Sequence, residues 1–249
     1  MFEGNEGQEN LRNCLAQLGM VNGKRFFFYC KLIFWRIMKK TVVNFVLGGP
    51  ASGKGSFCKT FVGKFPRSVK HISAGDCLRE EIRLCGKTEN VRSFGGDRIE
   101  RAGEIQKMID SVQIVPAQIT VDLLWEKIRQ DRGISYLIDG FPRNRENLEC
   151  WNQSMTNNCE VGYAFCLECS EETMLNRMKE RMEKENRSDD RVEIFSKRIE
   201  HYKTVQKFIR DYFHSEGKYV GLDSEQALEG IVEQAVRATG KDWGIENLG

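Results

Sequence analysis

A glycine-rich turn constrains this chain more than any other feature. Gly48-Gly49-Pro50-Ala51-Ser52-Gly53-Lys54-Gly55-Ser56 follows the apolar run Thr41 to Leu47 and precedes a helical pattern. Strand, loop, lysine and helix in that order make a cradle for phosphates. Glycines permit a tight curl that points successive N–H groups inward, and the helix start adds partial positive charge. Lys54 supplies a mobile cation for the outer phosphates, while Ser56 offers a hydroxyl to phosphate or to a magnesium shell. The general motif has Ser or Thr directly after the lysine; here Gly55 intervenes. A dinucleotide-binding fingerprint is excluded, because Cys58 stands where its third glycine would be.

From Lys40 onward, short apolar runs alternate with helical patterns, which predicts an α/β fold with a parallel sheet and crossover helices. The runs are Thr41 to Leu47, Lys70 to Ser73, Ile134 to Asp139, Val161 to Leu167 and Lys218 to Leu222. They supply five strands for a doubly wound sheet. Helices are expected over 116–129 with Pro116 at the start, over 171–181 with Ser170 as N-cap, and over 192–213. The 249 residues suffice for one large domain with small inserted lobes. Lys and Arg number 38 against 36 Asp and Glu, so the net charge of +2 gives no reason to expect a nucleic-acid partner. Anion binding must come from local clusters. The nine cysteines form no disulfide-like framework, which suits a reduced cytosolic protein. Cys166 and Cys169 close an apolar run with no second pair at zinc spacing, so they read as packing.

A second motif is Tyr136-Leu137-Ile138-Asp139-Gly140-Phe141-Pro142-Arg143. A strand ending in Asp139 sets a carboxylate at the sheet's C-terminal edge, beside the phosphate loop, where it can hold a water on Mg²⁺. Arg143 can grip an anion in bidentate fashion. Transfer of a phosphoryl group between two phosphates needs cations and positioning, not a general base. Candidates are Arg79, Arg187, Arg198, and the pair Arg177 and Arg181, four apart on one helical face. By spacing alone, Arg177, Arg181 and Arg198 read first as solvated charges on helix surfaces, because charged helix faces are common.

These segments, with His71 to Arg79, Ile114-Val115-Pro116, Asp139 to Asn147 and Arg187-Ser188-Asp189-Asp190, resemble the adenylate kinase family of nucleoside monophosphate kinases, most of all its UMP-CMP branch. The resemblance implies a P-loop NTPase-like domain over 39–240. Into it are inserted an NMP-binding lobe over about 73–115 and a short LID over about 182–191, both closing over the substrates. It further implies Mg²⁺ with ATP as donor. Ala51, Ser52, Gly53, Lys54, Gly55 and Ser56 would wrap the ATP phosphates, with Arg181 nearby and the backbone of Gln226 at the base. Arg79 and Arg143 would hold the acceptor phosphate. Arg187 and Arg198 would neutralise the moving phosphoryl group, with Lys54 and Arg177 beside them. Ser73, Ala74, Gln113, Ile114, Val115, Gly140, Phe141, Pro142 and Asn147 would line the acceptor pocket. Asp189 and Asp190 would latch the LID.

Ala74 and Asn147 stand where adenylate kinases usually have Thr and Gln, and the shorter amide suits a pyrimidine edge. AMP as acceptor is the alternative; an inactive nucleotide-binding scaffold is another. Four departures from the family pattern stand out. Ala51 replaces a glycine of the loop, Ser56 a threonine, and Met182 and Asn186 replace LID glycines. Extra residues over 85–101 read as an exposed loop inserted in the acceptor lobe. The first 38 residues are an extension, Gly- and Glu-rich over 1–10, and Met38 reads as the true start. Contact of residues 26–37 with a membrane surface is the lesser alternative. Residues 241–249 read as a tail. Small nucleotides are the expected partners, in a cytoplasmic monomer, with the nucleus as a second location.

Overall fold

The structure is a computed structural model that describes residues 40–86, 96–111, 113–130, 134–184, 192–240 and 243. All of them lie in one unit beginning at Lys40. The N-terminal extension and the LID segment with Arg187, Asp189 and Asp190 fall outside the described residues.

The strands are β1 (Thr41–Gly48), β2 (Val69–Ser73), β3 (Ser135–Asp139), β4 (Cys159–Glu168) and β5 (Tyr219–Asp223). They form one parallel sheet in the order β2-β3-β1-β4-β5. Each strand expected from the sequence is present, with ends moved by one or two residues. The helices are α1 (Lys54–Lys64), α2 (Ala74–Gly86), α3 (Gly96–Asp110), α4 (Ala117–Ile128), α5 (Arg145–Met155), α6 (Glu171–Lys184), α7 (Val192–Ser215) and α8 (Leu228–Thr239). Among the described residues no helix is long and apolar enough to cross a membrane.

Strands buried on both faces read as continuous apolar runs, and β1 at the centre does so. Phe45 faces one core with Ile138, Trp151 and Phe213; its neighbour Val46 faces the other with Phe57, Phe61, Leu137 and Phe165. The Phe45 ring meets Trp151 edge-on at 5.2 Å. Trp243, in the segment expected to be a tail, packs on Phe61 at 5.0 Å, and its indole N–H donates to Thr239 Oγ1.

One residue in β1 breaks the apolar run. Asn44 is fully buried and sits at a register shift, where Val43 pairs with Val161 but Phe45 pairs with Ala164. Its side chain spans that bulge. Oδ1 accepts from the Tyr163 N–H at 3.0 Å and Nδ2 donates to Tyr136 O at 3.4 Å. A Cβ on Gly162 would stand 2.5 Å from Asn44 Oδ1, so the glycine makes the room.

The segment 85–101 differs from the exposed loop expected of it. α2 runs to Gly86 and α3 begins at Gly96, so both ends of the segment are helical. Arg101 Nη2 reaches Glu81 Oε1 at 2.7 Å, and the Glu81 side chain is only 2% exposed. A buried carboxylate is retained only with such a partner, and this pair holds α3 against α2. Residues 87–95 lie outside the described residues.

Asn44→Leu should lower stability by about 1–3 kcal/mol, because the Tyr163 N–H loses its partner in the core. A fall in the urea midpoint at unchanged m-value is the expected reading.

Candidate active site

The strand order sends the chain to opposite sides of β1, so a crevice opens outside its carboxyl end. The residues there line a cleft of about 710 Å³. At its floor lies the phosphate loop. Gly53 is the N-cap of α1, with φ of 91° and no side-chain cap, and the first turn of α1 carries no acidic residue. The first amides of a helix have no intrahelical acceptor, so those of Lys54, Gly55 and Ser56 present bare donors to an anion. Ser52 Oγ, buried in the same loop, has no hydrogen-bond partner. Gly49 lies against Met174 of α6, where a side chain would collide with its sulfur.

Lys54 Nζ donates to Gly48 O at 3.1 Å and to Gly49 O at 2.7 Å. Burial pushes its pKa down; Asp139 opposes this, and Arg198 and Arg143 reinforce it. A half-buried ammonium beside one carboxylate and two guanidinium groups gives the site a surplus of positive charge. Asp139, at the end of β3, has His71 Nε2 of β2 at 3.7 Å. His71 lines the cleft, although nothing in the sequence assigns it a role.

The arginines are held from several elements. Arg143 Nε donates to Gly140 O at 3.0 Å, and its backbone N–H donates to Asn147 Oδ1 at 3.1 Å. Arg79 Nη2 pairs with Asp76 Oδ1 at 2.6 Å. Arg177 Nη2 donates to Ser224 O at 2.6 Å, and Nη1 reaches Ser52 O at 3.4 Å. It therefore brackets the phosphate loop against the turn after β5. Arg181 and Arg198 line the same cleft. Arg177, Arg181 and Arg198 thus share one cleft, each partly exposed.

Ala51 to Ser56, Ser73, Gln113, Ile114, Val115, Gly140, Pro142 and Gln226 all line the cleft. Three expected pocket residues do not. Ala74 and Phe141 are 2% and 1% exposed and belong to the core beneath β2 and β3. Asn147 is 2% exposed, one residue into the second half of the first turn of α5, with its oxygen engaged by the Arg143 N–H. It stands behind the wall instead of on it. Arg187 lies outside the described residues.

Ala51 has φ of 56°, a left-handed conformation in which Cβ crowds the following carbonyl. The family's glycine carries no such strain, although it costs more backbone entropy on folding. Strain of about 1–2 kcal/mol exceeds the entropy term of about 0.5–1 kcal/mol. Ala51→Gly should therefore raise stability by roughly 0.5–1 kcal/mol, read as a higher melting temperature in the absence of nucleotide.

The adenylate kinase family model matches residues 46–218. Human UMP-CMP kinase is 35% identical over 208 residues, which cover 82% of this chain and 99% of that protein. The uridylate kinase of Schizosaccharomyces pombe is 38% identical over 200 residues, or 79% of this chain and 96% of that one. The Danio rerio UMP-CMP kinase is 34% identical over 214 residues and is covered in full. With a phosphate loop, a carboxylate and arginines from four elements gathered in one cleft, the chain belongs to the adenylate kinase family of nucleoside monophosphate kinases.

Proposed function

We propose that this enzyme transfers the γ-phosphoryl group of Mg·ATP to a pyrimidine nucleoside monophosphate, UMP or CMP and also dCMP, giving ADP and the diphosphate. The observation that carries the reading is the shared cleft. Lys54, Arg143 and Arg198 meet at the phosphate loop, midway between a β2 arm with Ser73 and Arg79 and a β5 arm with Gln226. Two nucleotides laid tail to tail bring their phosphates to that midpoint.

The donor's phosphates bind the first-turn amides of α1, and Lys54 exchanges the Gly48 and Gly49 carbonyls for phosphate oxygens. Arg79 and Arg143 grip the acceptor phosphate, whose own oxygen attacks; it is already anionic, so no side chain need remove a proton. Arg198 and Arg187 meet the charge that spreads over the moving group, and Arg181 lies along the donor. Arg177, engaged by two carbonyls, acts by holding the loops.

The Asp139 carboxylate and Ser56 hydroxyl are hard oxygen donors of the kind Mg²⁺ selects. A side chain at Gly55 would stand 3.8 Å from Asp139 Oδ2, so the glycine keeps the space between carboxylate and loop clear. Asp139 would hold the ion through water, and the ion would supply charge neutralisation on the phosphates.

The pyrimidine preference is supported by the names of the relatives, UMP-CMP kinase and uridylate kinase. Asn147 sits directly behind Arg143, so it shapes the acceptor wall from beneath. The kinase domain is assigned to 39–240, with the acceptor lobe over about 73–115 and the LID over about 182–191. A monomer in the cytoplasm, working in pyrimidine nucleotide synthesis without nucleic acid, completes the proposal.

With Mg·ATP, an acceptor panel of UMP, CMP, dCMP and AMP should give the highest kcat/KM for UMP or CMP, with turnover of roughly 1–100 s⁻¹. AMP as the best acceptor would overturn the pyrimidine assignment. Lys54→Met should cut kcat by about 10²–10³-fold, as loss of a charge-stabilising donor does. Asn147→Gln should raise the UMP KM by about 5-fold or more by disturbing the buried polar contact under Arg143; an unchanged acceptor profile would remove Asn147 from the site.

A further inference from the structure

The turn after β5 is fastened to the start of α6 by side chains that the packing of neither element requires. Glu225 Oε1 accepts three hydrogen bonds: from the Ser170 N–H at 2.9 Å, from Ser170 Oγ at 2.8 Å and from Thr173 Oγ1 at 2.9 Å. The Ser170 N–H, then the hydroxyls of Ser170 and Thr173, hold the Glu225 carboxyl below its ordinary pKa. One helical turn on, Arg177 donates to Ser224 O. Within the turn, Asp223 Oδ1 accepts the Glu225 N–H and Asp223 Oδ2 accepts from Gln226 Nε2, each at 3.0 Å. Residues 224–226 therefore take their position from α6, the helix that carries Arg177 and Arg181.

That turn forms one end of the cleft. Ser224, Gln226, Leu228 and Ile231 line it beyond the phosphate loop, on the side away from Ser73 and Arg79. None of the four is charged. Ser224 is buried, with its N–H on Glu168 O and its carbonyl on Arg177, so the polar edge beside the two aliphatic side chains is that of Gln226, and together they suit the flat faces and polar rim of a nucleobase, not another phosphate. Discrimination between bases by backbone groups depends on where the backbone is held, because a misplaced donor or acceptor leaves a buried group unpaired.

We infer that Glu225 is a positioning residue for the donor nucleobase: by anchoring residues 224–226 to Ser170 and Thr173, it sets the polar edge that selects adenine over other bases. The inference deepens the proposed function and rests on its placement of ATP along the β5 arm. Glu225 itself points at the start of α6 and acts through the turn.

The test compares wild type with Glu225→Ala, Thr173→Val, their double variant, and Glu225→Gln, which keeps the accepting oxygen. ATP and GTP are the donors, at saturating UMP. Glu225→Ala should raise the ATP KM by about 5–10-fold, with kcat and the UMP KM within about 2-fold of wild type, the pattern of lost donor binding. The ratio of ATP to GTP kcat/KM should narrow by a similar factor. Glu225→Gln should stay close to wild type, and Thr173→Val should add less to Glu225→Ala than it does alone, since both break one cluster. An ATP KM and ATP-to-GTP ratio unmoved in Glu225→Ala would overturn the inference, as would equal losses for donor and acceptor, which mark general damage. Calorimetric binding of ATP and GTP without any acceptor reads the same selectivity independently. A wild type that binds ATP selectively but fails to phosphorylate UMP or CMP would remove the proposed acceptor and leave this inference standing.

Discussion

The bare amides at the start of α1 and the half-buried ammonium of Lys54 are the constraint around which the rest of this protein is arranged. Backbone donors in a folded interior must find acceptors, and a buried cation is expensive without a counter-charge. Here both are fixed at the carboxyl end of the central strand. The glycine at the N-cap offers no side chain to satisfy them. Two cores hold β1 from opposite faces, so the loop that follows it has little freedom to collapse and pair its own groups. The site is thus held in a form that a polyphosphate completes.

Several of the site's cations donate to neutral backbone oxygens among the described residues. Lys54 sits on the Gly48 and Gly49 carbonyls, Arg143 on Gly140 O, and Arg177 on Ser224 O and Ser52 O. A phosphate oxygen adds the attraction of opposite charges to the hydrogen bond, which a neutral carbonyl cannot, so it is the stronger acceptor for Lys54 and Arg143. Arg79 differs, since it pairs with the carboxylate of Asp76. Both side chains are well exposed, and such pairs are weak in water, so a phosphate can displace this one as well.

Several irregularities of the chain have local physical causes. The left-handed Ala51 carries strain that the loop tolerates because its neighbours fix the backbone. Asn44 supplies, from a side chain, the acceptor that a bulge in β4 denies to Tyr163. The described ends of the 85–101 segment extend two helices, and Arg101 pairs across them with the buried Glu81.

Local sequence determined the five strands, because parallel strands covered on both faces must read as short apolar runs. It determined the phosphate loop, through glycines at fixed steps from a lysine, and the helix starts at Pro116 and Ser170, where capping chemistry is confined to a few residues. Motif order, through family resemblance, pointed to the arginines before their positions were known. Tertiary structure alone decided which faces of the chain meet. It set the sheet order, buried Ala74, Phe141 and Asn147 away from the cleft, turned Arg177 toward two loop carbonyls, and joined Glu225 to Ser170 across 55 residues of sequence. Periodicity and capping report only on neighbours within a few residues. A bond between distant segments exists because the packed sheet brings their ends together, and no local pattern in either segment encodes the other.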